Sequence, residues 1–122
     1  MYRKLGDTIV LDFTTHDPTT GNVSDADSTP TCEVFEDAND TPILTPTVTK
    51  RTGKTGNYRV SIVATAGNNF GVGRSYNVIV SATVVLITAK GRIASFSLDS
   101  KRLADLNDLA KADITFGKTT QI

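Results

Sequence analysis

The sequence has no tryptophan, one cysteine and one histidine among its 122 residues. A single cysteine excludes an intrachain disulfide and a zinc cluster. Cys32 sits in the alternating stretch "TCEVF", which marks a small buried hydrophobe rather than a nucleophile. With His16 alone and no Gly-x-Ser-x-Gly, no nucleophile–base–acid triad can be assembled. Lack of tryptophan removes the usual sugar-stacking platform and leaves only Tyr58, Tyr76 or Phe70 to bind carbohydrate. No run reaches the roughly 20 apolar residues of a membrane span. The longest, about Val78 to Ala89, is broken by Ser81, Thr83 and Thr88. The opening "MYRKLGDTIVLDF" lacks the apolar core and cleavage site of a signal peptide, so synthesis in a cytoplasm is expected.

Acids are missing from one long stretch. Net charge is zero, yet residues 41–98 contain no Asp or Glu against seven bases: Lys50, Arg51, Lys54, Arg59, Arg74, Lys90 and Arg92. Residues 1–40 carry nine acids and two bases. Two arrangements fit this segregation. Acidic strands and loops lie beside basic ones within the chain, or the surface has two signs and meets copies of itself or an anionic partner. Nucleic acid is not an expected partner, because no binding motif accompanies the bases around Lys50, Arg51, Lys54 and Arg59.

Those bases include "TGKT", which ends like a phosphate-binding loop. Such a loop needs a first glycine at position 48, where Val48 stands, and a helix afterwards. The chain instead continues into the alternating "GNYRVSIV". The stretch therefore reads as a hairpin, with Gly53 and Gly56 supplying positive φ and Asn57 supporting the turn. "GNNFGVG" likewise precedes a strand, so it is a surface loop and not a dinucleotide fingerprint. In it Phe70 is either a buried anchor or, if exposed, a contact for a partner. Carboxylates crowd "SDADST" and "EDAND" without the EF-hand spacing, and Asp and Asn are ordinary turn residues. No cofactor or metal is expected.

The dominant pattern is period-two alternation. Ile9, Leu11 and Phe13 share one face of "TIVLDFT", and Cys32 and Val34 one face of "TCEVFE". Tyr58, Val60 and Ile62 alternate in "NYRVSIV", Tyr76, Val78 and Val80 in "SYNVIVS", and Ala94, Phe96 and Leu98 in "RIASFSL". "PILTPTVTK" adds a strand that Pro46 confines to an edge or bulge. About seven short strands with turn-rich connections predict an all-β fold, an immunoglobulin-like antiparallel β-sandwich over residues 1–99. Residues 100–122 break the pattern. Asp99 or Ser100 can cap a short helix that places Leu103, Leu106 and Leu109 on one face, packed on its own domain or on a neighbour.

Three segments carry a resemblance: "GDTIVLDFTTHD", "TGNYRVSIVATAGNNFGVGRSYNVIVSA" and "GRIASFSLD". Together they resemble small β-sandwich proteins of tailed-bacteriophage virions, over most of residues 6–99. The shared motifs are turn and core residues, and the family pattern has no catalytic residues to carry over. The resemblance implies a non-enzymatic virion component, assembled in the bacterial cytoplasm in a symmetric array with other capsid or tail subunits. A capsid-decoration or other head-associated role is the leading expectation, with a tail, baseplate or receptor-binding module as the alternative. Contacts are expected from Leu103, Leu106 and Leu109, from Lys50, Arg51 and Lys54, and from Phe70.

Overall fold

The alternating segments become strands. The structure, a computed structural model, describes residues 2–99. Its strands are β1 (Tyr2–Lys4), β2 (Thr8–Thr14), β3 (Thr31–Glu36), β4 (Val48–Lys50), β5 (Asn57–Val63), β6 (Ser75–Val84) and β7 (Ile87–Asp99). One short 3-10 turn, Ala66–Asn68, joins β5 to β6. The fold is all-β, with two sheets: β1-β7-β6-β3 and β2-β5-β4. The helix expected over 100–122, with Leu103, Leu106 and Leu109, lies outside the described residues.

Register follows from the apolar pattern, because a one-residue slip would turn each apolar face outward. Ile9 pairs with Ile62, Leu11 with Val60 and Phe13 with Tyr58 across β2 and β5. Cys32 pairs with Val80 and Val34 with Val78 across β3 and β6. The inward faces of both sheets feed one core, in which Ile9, Val34, Val60, Ile62, Tyr76, Val78 and Leu98 are fully buried. Burial of each aliphatic side chain stabilises the fold by about 1.5–3 kcal/mol.

Two segments depart from the sequence reading. "PILTPTVTK" is not one strand. Ile43 and Leu44 exchange backbone hydrogen bonds with Val34 of one sheet, whereas Val48–Lys50 pairs with β5 of the other. Pro46 stands at the crossing, where its missing N–H costs no ladder bond. The second departure is longer. β6 continues to Val84 and β7 starts at Ile87, so the apolar run Val78–Ala89 is a hairpin that reverses at Val85–Leu86. Neither turn residue is a turn former, which is why the reversal is invisible to composition.

Candidate interaction surface

The basic loop between β4 and β5 is a hairpin, with Gly53 at φ 73° and Gly56 at φ 68°. The Asn57 side-chain Nδ2 donates to the Thr55 carbonyl, 2.9 Å. Two of its cations are already engaged within the chain. Lys50 meets Asp25 at 2.9 Å and Arg51 meets Asp12 at 2.8 Å. Arg74 meets Asp37 at 3.3 Å in the same manner. These pairs are partly exposed and solvent screens them, so they position loops more than they stabilise them. For these residues the charge asymmetry is intramolecular. Lys54 has no carboxylate within ion-pair distance among the described residues.

The Gly56 amide, which a phosphate cradle would need free, donates to Asp25 Oδ1 at 2.6 Å. That bond and the Lys50 ammonium hold the Asp25 carboxyl below the usual range. Asp25 opens a three-residue clamp across both sheets. The Ala26 N–H donates to the Tyr58 hydroxyl at 2.9 Å, and the Asp27 N–H to the Thr83 carbonyl at 2.7 Å. The Asp27 carboxylate accepts from the amides of Val85 (3.0 Å) and Leu86 (2.8 Å). Asp37 similarly accepts from the Ser75 amide at 2.9 Å. Carboxylates that looked like turn residues therefore brace distant loops, a role with no local sequence signal. Among the described residues, no group of three His, Cys, Asp or Glu is placed to hold a metal ion.

The tip braced by Asp27 is unusual in two ways. Val85 and Leu86 adopt left-handed backbone, φ 50° and 66°, which is rare for any residue but glycine and costs of order 1–3 kcal/mol each. It is also apolar and exposed: Val85 52%, Leu86 89%, Ile87 54%. Beside it the hairpin's inner face lines a groove of about 280 Å³, where Ala82, Val84, Ile87 and Ala89 are joined by Thr14, Thr15, His16 and Pro18.

Phe70 is a correction to the contacts expected from sequence. It is buried, 4% exposed, with its ring 4.8 Å from Tyr76 and 6.2 Å from Phe96. Surrounded by rings, it anchors its loop and presents nothing to a partner. The Tyr76 hydroxyl bonds back to the same loop. It accepts from the Gly71 amide at 2.8 Å and donates to the Gly71 carbonyl at 3.3 Å. Burial raises its pKa. Tyr58 and Tyr76 are buried too, so none of the three aromatics offers a sugar platform. Burial, and secondarily Glu33, pushes the Cys32 thiol up to about 11, consistent with a packing role.

No family model, curated protein or solved structure matches the chain.

Proposed function

We propose that the chain is a non-enzymatic structural component of a tailed-phage virion, an immunoglobulin-like module that docks on neighbouring subunits of the head. Support for the immunoglobulin-like reading comes from topology. The first strand runs parallel to the last in a β1-β7-β6-β3 sheet, opposite a β2-β5-β4 sheet. Tyr76, at the start of β6, bonds to backbone a few residues upstream, as the tyrosine corner of such domains does. Support for the virion reading is the resemblance of residues 6–99.

The observation that carries the docking role is the tip Val85–Leu86–Ile87. A free monomer gains nothing by holding a valine and a leucine in left-handed backbone with their side chains in water. Asp27 offsets the backbone strain within the chain, but the exposed Val85, Leu86 and Ile87 side chains are covered only when a partner meets the tip. Leu86→Asp in the full chain is expected to fold with an unchanged circular dichroism spectrum. It should fail to join particles assembled from the other structural proteins of the same virion. Normal incorporation of the variant would overturn the docking role.

A further inference from the structure

Among the described residues, the outer edge of β7 has no strand on it over most of its length. β6 covers one side from Ile87 to Ser97, but β1 reaches the other only at Ser97–Asp99 among the described residues. All six residues from Ile87 to Arg92 are exposed. They form a flat run of about 20 Å, at roughly 3.3 Å per residue. A bulge ends the run. Ala94 pairs with Val78 and Arg92 with Ile79, which leaves Ile93 as the extra residue.

The two-residue loop makes Val84 and Ile87 the hydrogen-bonded closing pair. By ladder alternation, the N–H and C=O groups of Thr88, Lys90 and Arg92 then aim away from β6. Their side chains lie on the outer face of the sheet. Those of Ile87 and Ala89 lie on the inner face with Val84 and Ala82, along the groove. Gly91 continues that inner row without a side chain. A Cβ there would meet nothing within 4 Å, and its φ is ordinary, so neither packing nor backbone demands glycine. Glycine in a strand often marks a place where another backbone comes close.

From this geometry we infer that the open edge of β7 receives an extended segment of another polypeptide, whose apolar side chains alternate with carboxylates. The incoming strand takes up the outward amides and carbonyls of Thr88, Lys90 and Arg92. Its inward side chains enter the apolar groove, and Gly91 leaves room for one of them. Its outward carboxylates face Lys90 and Arg92, which have no carboxylate within ion-pair distance among the described residues. The same two cations disfavour a second copy. Antiparallel self-pairing about Gly91 sets Lys90 of one copy opposite Arg92 of the other, and like charges directly opposed are destabilising. The inference rests on the docking reading and deepens it by naming the chemistry of the partner.

Two short synthetic peptides test it against the full chain, one alternating valine with glutamate and one alternating valine with lysine. The glutamate peptide is expected to bind about tenfold more tightly, because two opposite-charge pairs replace two like-charge pairs. On binding, the amides of Thr88, Lys90 and Arg92 should gain protection from hydrogen exchange. Gly91→Val should leave the unfolding midpoint unchanged and weaken binding at least as much. The inference is overturned if neither peptide binds, if binding leaves those amides unprotected, or if Gly91→Val binds equally well. It is also overturned if the free protein dimerises through this edge in sedimentation runs. If Leu86→Asp loses particle incorporation while the peptide fails to bind, the docking reading stands and the edge proposal falls.

Discussion

The carboxylate of Asp27 accepts the amide of Leu86 at 2.8 Å, across 59 positions of sequence. A turn that its own residues disfavour is thus closed by a residue from another part of the chain. The neighbouring Val85 amide shares that carboxylate, and the Asp27 N–H returns a bond to Thr83.

Removing that brace should be felt at the tip before the core. Hydrogen bonds to a charged group contribute about 1.5–3 kcal/mol each where well shielded, and these are exposed, so Asp27→Ala should destabilise by about 1–2 kcal/mol. Amides of Val85 and Leu86 should lose protection from hydrogen exchange, while those of β5 keep theirs. Equal loss in both places would mean that Asp27 supports the whole domain rather than the turn.

Gly56 sits where a side chain cannot. A Cβ there would lie 2.6 Å from a Val23 methyl, 2.9 Å from the Thr15 carbonyl and 3.0 Å from the Ser24 carbonyl, with φ at +68°. Gly56→Ala should destabilise by about 2–4 kcal/mol, the left-handed penalty added to overpacking. Gly53→Ala, at φ +73° in open space, should carry the backbone penalty alone, about 1–2 kcal/mol. Urea denaturation of both variants gives the comparison, and equal losses would refute the packing role of Gly56.

Acid should loosen the clamp. The Gly56 amide, and next the Lys50 ammonium, lower the folded pKa of Asp25. A depressed folded pKa contributes stability that is present above the unfolded value, about 3.9, and is lost as pH falls through the folded one. Asp25→Asn should therefore lower the urea midpoint at neutral pH and flatten its decline below about pH 4. Parallel midpoint curves for the two proteins would show that Asp25 does not gain its partners on folding.

The strands were legible because a period of two needs only local residues. Ile9, Val34, Val60, Tyr76 and Phe96 all face the core as their alternation requires. The β4–β5 hairpin was legible because Gly53 and Gly56 carry its backbone signature in their own identity. The β6–β7 turn was not, since Val85 and Leu86 bear no turn signal and the residue that closes the turn is remote. The crossing at Pro46 was half legible: proline excludes a central ladder position but does not say that the chain changes sheets. Charge segregation left two readings open, and only the Lys50–Asp25, Arg51–Asp12 and Arg74–Asp37 geometry places those residues within the chain.

The central claim is that the tip is held strained and apolar for a partner. Replacing Val85 with Asn and Leu86 with Gly installs the residues that a turn with two positive φ values favours. If the claim and the proposed virion role hold, the double variant unfolds at a higher temperature than the natural protein and fails to join virus particles. A variant that joins particles as well as the natural protein, whatever its stability, would contradict it.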